Sequence, residues 1–129
     1  MTKKTENLKR KPGVRTKLFI ADETIGVGKI NLLSLVGEVG SISEAARQMG
    51  MSYRRAWFLL DSMQSGFAMP LLITERGGPG NGGAKLTPLA KELIERYHAH
   101  ATLVDQNSRD ILAWMESVQP PVFHKKEHK

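Results

Sequence analysis

Two adjacent arginines, Arg54 and Arg55, stand between Ser52-Tyr53 on one side and Ala56-Trp57 on the other. A guanidinium is a planar, permanently charged fork of donors that matches phosphate oxygens and the acceptor edge of guanine. The neighbouring Tyr53 and Ser52 hydroxyls add neutral hydrogen bonds of the same kind. Ser52 suits an N-cap, which puts both arginines in the first turn of a helix. Positive charge there opposes the helix dipole, at about 0.3–1 kcal/mol per charge. A helix with a purely structural role gains by carrying acids at that point. Two solvated arginines tolerated on a surface are the plainer explanation, but the surrounding pattern favours contact with a polyanion. Trp57 lies on the flank of the same helix, as apt to pack beneath it as to touch a ligand.

The elements that must position these residues are legible around them. Residues 40–63 read GSISEAARQMGMSYRRAWFLLDSM. Gly40 suits the C′ position that ends a preceding helix. Ser41 followed three residues later by Glu44 is a capping-box pattern. Ala46 is small enough to let a second helix cross the first closely. Gly50 accepts a backbone conformation that other residues resist. Ala56, Leu59, Leu60 and Met63 then recur at helical spacing and form a core-facing stripe. Two short helices joined by a tight turn, with cations opening the second, make a helix-turn-helix, whose second helix enters the major groove of DNA.

Upstream, Ile30, Leu32, Leu33, Leu35, Val36 and Val39 predict a buried helix over 29–39. Leu18-Phe19-Ile20 is a short strand candidate, with 22–28 as a connection. Downstream, Gly66 and Pro70 bracket the end of the arginine-bearing helix. Residues 71–76 and 84–87 read as two strands around the glycine-rich loop GGPGNGG at 77–83. A hairpin in that position is a wing. Arg76 and Lys85 supply charge at its base, and Gly78, Gly80, Asn81 and Gly82 let the backbone approach phosphates or the minor groove.

Thr87-Pro88 opens the last element, as an N-cap followed by proline at the first helical position. From there to about Ser117 nothing in the sequence breaks the helix, a length of roughly 45 Å. Leu89, Leu93, Tyr97, Ala101, Val104, Ser108, Ile111 and Met115 approximate a heptad seam with Ser108 as a polar interruption. Leu89 and Leu93 are expected to pack on their own domain. The stretch from Leu93 through Tyr97, Ala101, Val104, Ile111 and Met115 is expected to meet a second copy of the chain.

Charge placement adds to this picture. The chain of 129 residues carries a net charge of +6. Its first seventeen residues hold seven bases and one acid, whereas the remaining 112 hold twelve of each. The excess therefore sits in an N-terminal arm, where Lys9, Arg10, Lys11, Arg15 and Lys17 are placed to contact phosphates. The alternative is a solubilising tail. There is no cysteine, hence no disulfide or thiolate metal site, which suits a reducing cytoplasm. The basic start is not followed by an apolar stretch, and no run approaches a membrane span.

Other chemistry fails on spacing. Residues 78–85, GPGNGGAK, superficially resemble a phosphate loop, but Ala84 separates the last glycine from Lys85, and Leu86 replaces the hydroxyl that would hold magnesium. His124 to His128 formally matches a zinc pattern, but it lies in a charged tail without a third ligand. His98 and His100 point to different helix faces. No catalytic residues, cofactor or metal are expected.

These motifs give the chain a recognisable likeness. Gly40-Ser41-Ile42-Ser43, Ala46, Gly50, Ser52-Tyr53-Arg54, Ala56-Trp57, Met63, the glycine-rich wing and Leu86-Thr87 resemble the N-terminal DNA-binding domain of the ModE-type molybdate-responsive regulators, winged helix proteins related to the LysR type. The resemblance covers about residues 17–115. It implies DNA binding, transcriptional control and a homodimer. Phe58 departs from the polar residue expected at its position and lies nearly opposite Ala56 and Leu60. Members of that family continue into a molybdate-binding domain for which residues up to Lys129 leave no room, so molybdate is not expected to bind this chain alone.

The expected architecture is mainly α with a small β wing: a basic flexible arm (1–16), a winged helix-turn-helix (17–87), a long C-terminal dimerisation helix (88–117) and a flexible tail (118–129). The expected function is a cytoplasmic, dimeric transcriptional regulator of double-stranded DNA with an inverted-repeat operator. An architectural DNA-binding protein without a defined operator, and a winged helix that binds protein instead, are the alternatives.

Overall fold

The computed structural model describes residues 11–75 and 82–121. These divide into two units, one spanning Arg15–Ala101, the other taking in the described residues 11–14 and 102–121.

The first unit is a winged helix. It opens with β1 (Leu18–Ile20) and β2 (Glu23–Ile25), an antiparallel hairpin pairing Phe19 with Thr24. Residues 22–28, expected as a connection, contain strand β2 instead. The hairpin turn uses Ala21 and Asp22, both with positive φ, at 47° and 70°. Hairpin turns of this kind normally announce themselves as Asn-Gly or Asp-Gly. Here the alanine hides the turn.

Next come α1 (Val27–Val39), α2 (Ile42–Gln48) and α3 (Tyr53–Gln64). Their boundaries follow the local chemistry. Gly40 ends α1 in the left-handed region, with its N–H donating to the Val36 carbonyl at 2.8 Å. The Ser41 hydroxyl accepts from the Glu44 N–H at 3.0 Å and caps α2. Gly50 turns the chain at φ 71°, a conformation that is strained for a side-chain-bearing residue. The Ser52 hydroxyl then accepts from the Arg55 N–H at 3.0 Å and starts α3. Ala45, Ala46 and Ala56 are buried, so α2 and α3 cross through small residues.

The wing is β3 (Leu72–Glu75) paired antiparallel with β4 (Gly83–Leu86), Leu72 facing Leu86 and Glu75 facing Gly83. Its base is tied to α1: the Ala84 N–H donates to the Gly40 carbonyl at 2.9 Å, and a Cβ on Gly37 would stand 2.4 Å from Leu86 Cδ1. Ile30, Leu32, Leu33, Val36, Met63 and Leu71 form the fully buried centre of the core.

Thr87 caps α4 (Pro88–Asn107) through the Ala90 N–H, as its sequence predicts. Ala90 and Tyr97 are buried, and Leu89, Leu93, Ile94 and Ala101 pack against the same core. The Tyr97 hydroxyl donates to the Thr16 carbonyl at 3.2 Å.

The expected single helix over 88–117 is divided in the second unit. There α4 ends at Asn107, and α5 (Arg109–Val118) begins after Ser108. The Ser108 hydroxyl donates to the Val104 carbonyl at 2.6 Å, and its N–H also reaches the Val104 carbonyl at 3.0 Å. Such back-bonding by serine competes with the regular ladder and bends or interrupts helices. Ser108 thus does more than interrupt an apolar seam.

Candidate nucleic-acid interface

The candidate surface is built on α3. Ala56, Leu60 and Met63 anchor one face of that helix in the core. A side chain two residues on from Ala56 therefore points away from the core. The outward face carries Arg54, Phe58 and Asp61, with Arg55 to one side and Tyr53 and Trp57 to the other. All six are exposed.

Arg54 and Arg55 make no hydrogen bond or ion pair through their side chains among the described residues, where the ion pairs are Arg47–Glu44 and Arg96–Glu92. Two unneutralised guanidinium groups thus open the helix toward solvent. The Ser52 hydroxyl is engaged as the N-cap, so its first role is to hold the arginine-bearing turn in place.

The far half of α3 is fixed by contacts across more than thirty residues of sequence. The Ser62 hydroxyl donates to the Glu23 carboxylate at 2.6 Å, and the Lys29 ammonium reaches the Thr24 carbonyl at 2.8 Å and Ser62 Oγ at 3.2 Å. Gly66, just past α3, lies where a Cβ would stand 2.8 Å from Ile20 Cγ2. The β1–β2 hairpin therefore braces α3 from behind. No local sequence signal pointed to that support, because its partners meet only in the fold.

Tyr53 lines an open cleft with Ser41, Ser43, Thr74, Gly82 and Gly83, between the starts of α2 and α3 and the wing. Trp57 is 48% exposed and stands beside Leu72 and Thr74 of the wing. It is therefore exposed rather than buried beneath the helix.

In the wing, Gly82 and Lys85 are exposed, and Lys85 pairs with Ile73 across the sheet. Arg76, Gly78, Gly80 and Asn81 lie outside the described residues. So do Lys9 and Arg10 of the arm, whereas Lys11, Arg15 and Lys17 are exposed.

On α2, Arg47 and Gln48 both hydrogen-bond the Glu44 carboxylate. The Arg47 guanidinium, and then the Gln48 amide, hold that carboxyl down at about 2. The Glu44 carboxylate is thus engaged by two side chains of its own helix.

The expected seam residues separate into two groups. The first unit's own core takes Leu93, Tyr97 and Ala101, and Tyr97 is only 4% exposed. Tyr97 is thus taken up within one chain, while Leu93 and Ala101 are partly buried there. Val104 is half-buried, whereas Ile111 and Met115 are exposed, together with Leu103, Trp114 and Val118. Sequence reasoning passed over Trp114. Its signal was the spacing Ile111, Trp114 or Met115, Val118 along α5.

No protein-family profile matches the chain. Individual proteins do. It is 41% identical over 75 residues to the molybdenum-pterin-binding protein MopB of Rhodobacter capsulatus, covering 58% of this chain and 28% of that protein. It is 44% identical over 63 residues to the molybdenum transport protein ModE of Herbaspirillum seropedicae, covering 49% and 23%. Over 85 residues it is 35% identical to the DNA-binding transcriptional dual regulator ModE of Escherichia coli K12, covering 66% and 32%.

The chain is related in sequence to the ModE-type regulators. It spans about a quarter to a third of the length of these three relatives. The relationship extends across about half to two-thirds of this chain. The ModE relatives are named as transport proteins and transcriptional regulators, and no helix among the described residues is long and apolar enough to cross a membrane.

Proposed function

We propose that this chain is a DNA-binding transcriptional regulator that inserts α3 into the major groove of an inverted-repeat operator as a homodimer. The observation that carries the reading is the pair Arg54 and Arg55. Both are exposed and unpaired among the described residues, at the capped start of a helix whose opposite face is buried. Arg54 reads a base edge, and Arg55, Tyr53 and Ser52 contact nearby bases or phosphates. Trp57 contributes its free edge. Lys85 and Gly82, with Arg76, Gly78, Gly80 and Asn81, contact the backbone or minor groove. Lys9, Arg10, Lys11, Arg15 and Lys17 supply non-specific affinity. The ModE relatives named as transcriptional regulators support this assignment.

The exposed apolar stripe of α5, with Val104 before it, is the surface assigned to the second copy. A two-fold dimer presents two recognition helices, so the half-sites stand about one helical turn or a multiple apart. The molybdenum in the relatives' names is not assigned to this chain alone, and calorimetry with molybdate on the 129-residue protein is expected to show no stoichiometric heat.

Footprinting on genomic fragments tests the function. Discrete protected sites with two-fold symmetry are expected. Uniform coverage would make the protein architectural, and failure to bind any duplex at low salt would leave a protein-interaction winged helix.

A further inference from the structure

Phe58 is 61% exposed at the middle of the outward face of α3, one turn beyond Arg54 and three residues before Asp61. A phenyl ring there contributes nothing to the core, which Ala56, Leu60 and Met63 reach from the other side of the helix. It leaves apolar surface in water, flanked by unpaired cations, at the place where a helix lying in a groove comes closest to the base edges. Water and phosphate reward charge or hydrogen bonding at such a position, and phenylalanine offers neither.

The major groove contains one apolar feature, the C5-methyl group of thymine, and phenylalanine is one of the side chains that contact it. We infer that Phe58 is a specificity-determining residue that reads a thymine methyl within the operator half-site. Arg54 and Arg55 fix the helix against the duplex by charge and hydrogen bonding. Phe58 then adds a preference that hydrogen bonds cannot supply. Its ring takes the methyl out of water beyond the position that Arg54 reads. Asp61, further along the same face, is a carboxylate that accepts from a cytosine amino group and repels other acceptor edges. The half-site is accordingly ordered, with the Arg54 contact, then the thymine, then the Asp61 contact. The inference rests on α3 being the DNA-reading helix.

The test separates the two. The full chain is used to select binding duplexes from a random-sequence pool, and a selected duplex is then resynthesised with deoxyuridine in place of each thymidine in turn. Uracil keeps every hydrogen-bonding group and lacks only the methyl. Affinity is expected to fall about fourfold for each methyl that Phe58 covers, the transfer free energy of one carbon group expressed as a ratio. Phe58→Ala is expected to weaken the thymine duplex and to bind the thymine and uracil duplexes equally. If the pool yields no enriched sequence, the DNA-reading function itself fails. If sequences are enriched but the full chain binds thymine and uracil duplexes equally, Phe58 reads no methyl. The inference also falls if Phe58→Ala keeps the full thymine preference. Phe58→Ala should unfold at the same urea concentration as the parent. A large loss of stability would place the ring in the packing and overturn the inference, while the uracil comparison on the parent chain needs no variant at all.

Discussion

Removing the Thr87 hydroxyl should loosen the joint between the wing and α4. Thr87 is 8% exposed, and its hydroxyl both donates and accepts. It donates to the Pro70 carbonyl at 2.8 Å, with the Leu71 carbonyl at 3.2 Å also in reach, and it accepts from the Ala90 N–H at 3.2 Å. Thr87→Val keeps the shape and deletes both functions. Ala90 is fully buried, so water cannot replace the lost acceptor, and the cap loss falls toward the upper part of its range, about 1–2 kcal/mol. The lost donor adds about 0.5–1.5 kcal/mol, because Pro70 is exposed enough for water to compensate in part. Together these give roughly 2–3 kcal/mol. With a urea slope of about 1–3 kcal/mol/M, the unfolding midpoint should drop by roughly 1 M or more. Thr87→Ser retains both hydrogen bonds and should lose about 1 kcal/mol or less, for the missing methyl. Equilibrium urea unfolding followed by circular dichroism reads both variants. A Thr87→Val protein within about 0.5 kcal/mol of the parent, the range of an ordinary surface change, would refute the reasoning.

Three further expectations concern the interface and its supports. Arg54→Ala should reduce discrimination between a selected operator and random duplex by about 1–3 kcal/mol in competition binding, whereas equal losses on both would make Arg54 a phosphate contact. Val104→Glu combined with Ile111→Glu should give monomers in sedimentation and weaken operator binding while the winged helix stays folded, and a variant that remains dimeric would move the partner surface elsewhere. The folded-state pKa of Glu44, about 2 against an ordinary 4.5, is depressed, so its contribution is present above the unfolded value and is lost as pH falls from about 4.5 toward 2. The stability difference between the parent and Glu44→Gln should therefore shrink across that window, and Arg47→Ala should return the carboxyl toward its usual range in an NMR titration. An unchanged titration in Arg47→Ala would show that the guanidinium is not the cause.

Where a residue's own chemistry dictates a backbone event, the sequence was sufficient. Ser41, Ser52 and Thr87 accept the N–H bonds their positions foretell, Gly40 and Gly50 adopt the left-handed conformations their turns demand, and Ala56, Leu60 and Met63 form the buried stripe of α3. These signals are short-range, so the helix-turn-helix, the wing and the arginine-bearing turn are legible in the sequence. What the tertiary structure decided depends on residues far apart in the chain. The β1–β2 turn at Ala21-Asp22 has no turn signature of its own, and the hairpin persists because Ile20 packs at Gly66 and Glu23 accepts from Ser62. Apolar spacing along 89–115 could not say which residues the domain's own core would take. Tyr97, an expected seam residue, is buried within the chain, where its hydroxyl donates to the Thr16 carbonyl, and Ala101 packs in part against the same core. Sequence periodicity identifies an apolar face; only the fold says what covers it.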